Sequence, residues 1–344
     1  MTTLFEDGCI DYTKLKDLCI ETTLFSNGRP TAAIVTPSSG RYDTAVRALQ
    51  HRIVQCTGSK LPVLSDDEEG PGSLLVDRSV IALGNMNNSR FIETLYRQWY
   101  TLLDLRYPGP GGSVVRSLHN PFATGHNVIL VGGSDDDGVA KAAARLSDLL
   151  TEGDPLRVGW IMDIELGEGM DPPDIGEQVY GWRDSWRVDS EGNEIGYPPA
   201  GTFGWHPISV QAALYHMTGR EKYLRKFIRL ALPDPENIPE EVLTCSAFYS
   251  MEHPLVQNYH YHAHTMALLW DLIEESPLLS DDVRLRITNE LRGHQDYIDA
   301  DDTLCPLQGT SRHGLYDCLC VFTGSRYFSR YYPAPRWENR LGNM

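Results

Sequence analysis

The densest group of residues able to do chemistry in this chain runs Glu252-His253-Pro254-Leu255-Val256-Gln257-Asn258-Tyr259-His260-Tyr261-His262-Ala263-His264. Four of the eleven histidines fall inside it. Imidazole takes up and gives back a proton near neutral pH, a phenol can donate one, and an amide can hydrogen-bond a carboxylate. A second reading is a metal site. His260 and His264, four residues apart, share a face if the segment is helical, which is workable ligand spacing, and a divalent metal is the one cofactor this suggests. If the segment is extended, His260, His262 and His264 share a face instead. The central glutamate of H-E-x-x-H is absent, which excludes a metalloprotease of that type. In a third reading the stretch only opens a helix, its histidines solvated or hydrogen-bonded in the core.

Further candidates are scattered. Arg312-His313 sits in a Gly/Ser-containing loop between helical patterns. His206 lies between Trp205 and Pro207, and Trp182, Trp186 and Trp205 offer flat faces on which a pyranose ring could stack. Glycosidic hydrolysis would need two carboxylates placed across a bond; Asp184, Glu252, Asp296 and Asp299 are available, and no pair stands out. The seven cysteines are odd in number and scattered, so they read as free thiols, not as a disulfide framework. Gly132-Gly133-Ser134-Asp135 lacks both G-x-G-x-x-G and a Walker lysine, and the acids after it would repel a phosphate.

The elements that must position these residues divide the chain. Thr31–Thr36, Ser79–Gly84 and Asn127–Gly133 read as buried strands, and Leu61–Leu64 as an edge strand because of Pro62. Ser65–Gly70 reads as an exposed acidic loop. Helical patterns follow from Tyr42 to Cys56 with Gly58 beyond the end, from Asn88 to about Leu103, and after Asp135–Asp137. Alternating strands and helices predict a small α/β domain with a mostly parallel sheet over residues 1–152. Residues 153–205, rich in Gly, Pro, Asp and Trp, read as an aromatic linker. From residue 206 to 344 the pattern is helical, with Ile208, Ala212 and Tyr215 on one face, Leu224, Phe227, Ile228 and Ala231 on another, and Val283, Ile287, Leu291, His294 and Ile298 on a third. Met217-Thr218-Gly219-Arg220 is echoed by Phe322-Thr323-Gly324-Ser325, as if each unit were a helix, a Thr-Gly stop and a second helix.

Two resemblances follow. Val80–Gly84, and Asn127–Gly133 with the Ala-rich helix after it, resemble the small α/β domain that precedes the catalytic domain of α-glucuronidases and β-hexosaminidases, where it is an accessory. The Thr-Gly hairpins over about residues 200–340 resemble those of (α/α)-toroid carbohydrate enzymes, which include glycosaminoglycan and alginate lyases. The resemblance implies an α/β N-terminal domain followed by an all-α, toroid-like helical-hairpin domain that this stretch builds in part or in whole. It also implies a polysaccharide lyase cleaving a uronic-acid-containing chain by β-elimination. Toroid lyases use Asn, His, Tyr and Arg. Carried over, Asn258 neutralises the uronate carboxylate with help from Arg312-His313, His260 or His262 is the base, and Tyr259 or Tyr261 is the acid. A toroid glycoside hydrolase and a non-catalytic carbohydrate-binding protein are the alternatives.

The net charge of −17 disfavours nucleic acid as a partner. It suits an acidic polysaccharide only where positive charge is concentrated, as among Arg312, Arg326, Arg330, Arg336 and Arg340. No apolar run reaches the roughly 18 residues a membrane span needs. The N-terminus lacks the pattern of a signal peptide, so the expectation is a cytoplasmic protein unless an export signal is missing from this chain.

Overall fold

The structure, a computed structural model, describes residues 11–67, 77–172, 207–232, 260–300, 312–332 and 334–342. They fall into two compact units.

The α/β unit covers residues 17–173, with 217–219 assigned to it. It runs β1 (Thr22–Ser26), β2 (Arg29–Pro30), β3 (Ala32–Thr36), α1 (Asp43–Thr57), β4 (Val63–Ser65), β5 (Ser79–Gly84), α2 (Arg90–Arg97), β6 (Ser113–Leu118), β7 (Val128–Gly133), α3 (Asp136–Leu149), β8 (Leu156–Val158) and β9 (Met162–Glu165). The larger sheet has the order β4-β3-β5-β7-β6-β9. Its first four strands are parallel, with Ile34 beside Ile81 and Ile81 beside Ile129, while β6 runs antiparallel to its two neighbours, β7 and β9. Every residue of β3, β5 and β7 is buried, as parallel strands covered on both faces require. One face carries Val46, Leu49 and Ile53 of α1 and Val139, Ala142 and Leu146 of α3 in a single core with Ile34, Ile81 and Ile129. Phe91, Ile92 and Leu95 of α2 are buried outside that core, so α2 covers the other face. The three expected strands, the β4 edge and the Gly58 helix end (φ +74°) are all present.

Several local readings change. Helix α2 is capped by Ser89, whose Oγ accepts from Ile92 N at 3.3 Å, and ends at Arg97. Asn88 instead accepts from Asn85 N at 3.1 Å and donates to the Tyr42 hydroxyl at 2.9 Å. The glycines of the Gly132-Gly133 turn serve close approach, since a Cβ on Gly133 would meet Gly138 Cα and Val139 N at 2.7 Å. The Asp135 carboxylate fills the α3 N-terminus, accepting from Gly138 N at 2.8 Å and Gly111 N at 2.7 Å. Strands β8 and β9 lie inside the stretch that reads as linker, too short to show a period. The smaller sheet, β2-β1-β8, turns its β1–β2 hairpin on Asn27-Gly28 (φ +55° and +69°), with the Asp154 carboxylate accepting from both backbone amides. Positive φ at both central residues is the type I′ geometry that matches strand twist.

The helical unit gathers residues 11–16 together with α4 (Pro207–Thr218), α5 (Glu221–Ala231), α6 (His260–Ile273), α7 (Asp281–Ala300), α8 (Arg312–Tyr331) and α9 (Pro335–Gly342). Ile208, Ala212 and Tyr215 are buried as their spacing predicts, and so are Ile287, Leu291 and His294. On α5, Tyr223 and Leu230 go inward with Leu224 and Phe227, while Ile228 is only half-buried. Phe227 stacks on Trp270 of α6 at 6.3 Å. Helix α7 opens under Ser280, whose Oγ accepts from Val283 N. Buried Arg284 holds the end of α6, donating to Glu274 O and Ser276 O at 2.8 Å each. Cationic capping of this kind satisfies carbonyls that a helix end leaves unpaired.

The Thr-Gly echo is only half correct. Thr218-Gly219 does end α4, with Gly219 at φ +65°. Thr323-Gly324, however, lies in the middle of α8. Thr323 returns its hydroxyl to Leu319 O at 2.9 Å, so it does not interrupt the helix. A Cβ on Gly324 would come within 2.5–2.7 Å of the Gln295 amide on α7. Gln295 is itself buried and donates to Cys320 O at 3.1 Å. Gly324 is therefore a close-approach glycine between two helices.

Candidate functional site

Helices α6 and α8 are neighbours that run in the same direction. The pairs that touch advance together along both: His264 with Tyr316 (rings 5.8 Å apart), Asp271 with Arg326 (3.7 Å) and Arg330, Glu274 with Tyr327, Glu275 with Tyr331. Helix α7 lies between them in the chain and packs on both. The N-terminal turn of α6, His260–His264, and that of α8, which begins Arg312-His313, therefore lie at the same end of adjacent helices. Neither first turn carries an acidic residue. Helix α4 also opens without one, whereas α1, α2, α3, α5, α7 and α9 each open with at least one. The positive ends of two helix dipoles thus lie at the same end of the seam, with no acidic residue in either first turn.

The sequence candidates distribute as follows. His260, Tyr261 and His262 are in the first turn of α6, and Arg312 and His313 in the first turn of α8; their side chains lie outside the described residues, as do Asn258, Tyr259, Trp182, Trp186, Trp205 and His206. Because 260–264 is helical, His260 and His264 share a face and the extended alternative does not apply. His264 is half-buried, its Nε2 3.2 Å from Thr265 Oγ1. Among the described residues no group of three or more His, Cys, Asp or Glu side chains is placed to hold a metal. Cys19, Cys56, Cys318 and Cys320 are free thiols.

Of the carboxylates considered for hydrolysis, Asp296 is engaged by Arg336 at 2.5 Å and Arg292 at 3.8 Å. Asp184, Glu252 and the side chain of Asp299 lie outside the described residues. The expected concentration of positive charge in the tail is largely spent internally. Arg326 and Arg330 face Asp271, and Arg336 faces Asp296.

Further along the α6–α8 seam lies a buried ionic cluster that the sequence did not announce. Lys16 Nζ is 2.5 and 2.6 Å from the two carboxylate oxygens of Glu274, donates to the Tyr327 hydroxyl, and lies over the rings of Tyr327 and Tyr331 at 3.9 and 3.8 Å. The Tyr327 hydroxyl donates to Glu274 at 2.6 Å. Both side chains of the ion pair are almost wholly buried, at 2% and 1% exposure. Burial pushes the Glu274 carboxyl up to about 7, against the pull of Lys16 and the Tyr327 hydrogen bond. Glu275 is also pushed to about 7, by burial and by the neighbouring Asp271. Burial drives Lys16 down, and drives Tyr327 and Tyr331 well above the ordinary phenol value. Tyr12 is a second peg from the same segment: it packs against Tyr332 at 5.1 Å, lies under Arg292 at 4.5 Å, and accepts from Trp337 Nε1 at 3.3 Å.

Tyr316, four residues after Arg312, is a side chain beside His264 that sequence reasoning passed over; the i, i+4 spacing from Arg312 was the available signal. No family model matches the chain, and no curated protein matches it. No described helix is long and apolar enough to cross a membrane.

Proposed function

We propose that the chain is a carbohydrate-active enzyme, a polysaccharide lyase that cleaves a uronate-containing polysaccharide by β-elimination, with its helices forming all or part of an (α/α) toroid. One observation carries the reading: two helix N-termini whose first turns hold no acidic residue lie at the same end of adjacent helices, one bearing the His/Tyr cluster and the other Arg312-His313, with His264 and Tyr316 in contact between them. Parallel neighbours separated in the chain by one connecting helix are also what a toroid of hairpins produces.

The chemistry follows from charge. Elimination begins when a base removes the proton on the carbon that bears the uronate carboxylate. The electron pair left behind delocalises into the carboxylate, so that group must be neutralised or hydrogen-bonded. It then forms the ring double bond as the glycosidic C–O bond on the adjacent carbon breaks, and an acid protonates the leaving oxygen. In this assignment His260 or His262 is the base, Tyr259 or Tyr261 the acid, and Asn258 with Arg312 holds the carboxylate. Two helix dipoles add partial positive charge at the same end, so an anionic substrate is accommodated locally despite a net charge of −17. The elimination as written uses no cofactor.

The test is a panel of uronate polysaccharides followed at the ultraviolet absorbance of the unsaturated product, with His260→Ala/His262→Ala as the control. Absorbance that the control abolishes supports the assignment. New reducing ends without absorbance mean hydrolysis, the second enzymatic reading, which the engagement of Asp296 by arginines already weakens. Binding without turnover means a carbohydrate-binding protein.

A further inference from the structure

The α/β unit carries a cleft of its own. From β3 the chain moves to β4 on one side and then returns to β5 on the other. The segments leaving β3 and β5 lead to α1 and α2, which cover opposite faces of the sheet, so they diverge. In open α/β sheets the crevice at such a point, beyond the carboxyl ends of the strands, is where ligands bind. Here it is an open cleft of about 290 Å³, lined by Pro37–Ser39 after β3, Asp66-Asp67 after β4, and Met86–Arg90 with Glu93 after β5.

Its polar wall is already built. Asp66, buried to 7% exposure, accepts from Ser38 N at 3.2 Å with one oxygen and from Arg90 N at 2.8 Å with the other, tying the two diverging segments together. Asp67 accepts from the Ser38 hydroxyl and pairs with the Arg90 guanidinium at 2.9 Å.

The lining selects the ligand. Asp66, Asp67 and Glu93 outnumber the single guanidinium of Arg90, which repels phosphate and carboxylate ligands. Among the described residues the lining holds no aromatic ring, so a ligand there is held by hydrogen bonds and not by stacking. Carboxylates, amides and a hydroxyl, which both accept and donate, suit a compact neutral molecule with several hydroxyl groups. The volume is near the lower end of ligand cavities, roughly 300 Å³. We infer that the cleft at the carboxyl ends of β3, β4 and β5 is a binding site for one neutral monosaccharide unit, independent of any chemistry in the helical unit.

The experiment is saturation-transfer NMR on the full chain with D-glucose, D-galactose, D-xylose and L-rhamnose, with inorganic phosphate as the anionic comparator. Asn87 is exposed, so Asn87→Trp fills the cleft without touching the core; Asp67→Asn, also exposed, is the second lesion. Expected is binding of at least one neutral sugar, weakened roughly tenfold or more by Asn87→Trp, with an unchanged unfolding midpoint in both variants. No binding by any of the sugars, binding that neither variant weakens, or phosphate binding displaced by Asn87→Trp would each overturn the inference.

Discussion

Removing the Lys16 ammonium should destabilise the protein in a pH-dependent way. Lys16 and Glu274 are both buried and lie 2.5 Å apart, so each makes the other's charge tolerable. Lys16→Met keeps the length of the side chain and its contact with the Tyr327 and Tyr331 rings but removes the charge. At about pH 8 the wild-type Glu274, with a pKa near 7, is ionised. The variant then leaves a buried carboxylate without its cation, and breaking a buried pair in this way costs about 3–5 kcal/mol. At about pH 5 the carboxyl is neutral in both proteins and still accepts the Tyr327 hydrogen bond, and the expected loss is smaller, about 1–2 kcal/mol, because the Lys16 hydrogen bonds and cation–π contacts go but no charge is left unpaired. Lys16→Met/Glu274→Gln removes both charges and keeps an acceptor for Tyr327, so at about pH 8 it should recover most of the single-variant loss. Urea unfolding of wild type, Lys16→Met, Glu274→Gln and the double variant at the two pH values measures the cycle. Equal losses at both pH values, or a double variant whose loss is the sum of the singles, would refute the argument that Glu274 is ionised and held by Lys16.

Other perturbations test other parts of the structure. Glu275 has its folded pKa raised from 4.5 to about 7, so it favours the fold below 4.5 and loses that contribution as pH rises through about 7. The shift corresponds to about 3 kcal/mol, and wild type should fall by an amount of that order relative to Glu275→Gln between those limits in pH-resolved denaturation. Gly324→Ala forces a methyl group against the buried Gln295 amide and should cost roughly 1–3 kcal/mol by urea midpoint, whereas an unobstructed mid-helix glycine would gain from alanine's higher helix propensity. Gly28→Ala places a Cβ at φ +69° in the β1–β2 turn, in open space; the loss should be about 1 kcal/mol, read by thermal denaturation, and come from backbone strain alone.

How much of this was legible depended on the range of the interactions involved. Strands β3, β5 and β7 are continuous apolar runs ended by Gly or Pro, and their burial on both faces follows from that composition. Gly58 and Asp135 act as local stop and start signals, and the structure uses them so. Asn27-Gly28 was just as local a signal, but β2 has two residues and gives no alternation to flank it. The short β8 and β9 failed for the same reason. Asp66 reads as one of a run of exposed acids, and only the fold reveals that two backbone amides, 28 and 24 residues away, converge on it.

The helical unit shows the limit more sharply. Thr218-Gly219 and Thr323-Gly324 are the same dipeptide, and propensity alone assigns both the same role. The first ends a helix because the backbone there adopts φ +65°. The second continues one because the space around Gly324 belongs to Gln295, a side chain on another helix. Lys16 is the extreme case. Nothing within ten residues of it in the chain hints at burial, and its partners Glu274 and Tyr327 are 258 and 311 positions away. Yet the spacing of those partners was visible: Asp271, Glu274 and Glu275 fall at i, i+3 and i+4 across the end of α6 and the turn after it, and Arg326, Tyr327, Arg330 and Tyr331 repeat the interval on α8. Two polar stripes of matching period on helices that are otherwise apolar must either face water or face each other. Their mutual burial fixes α6 against α8 in a parallel register, and that register is what brings the histidine-rich turn and Arg312-His313 to the same end. The candidate site was therefore readable as two pieces, and the ionic seam that joins them was readable only as a pattern without a partner.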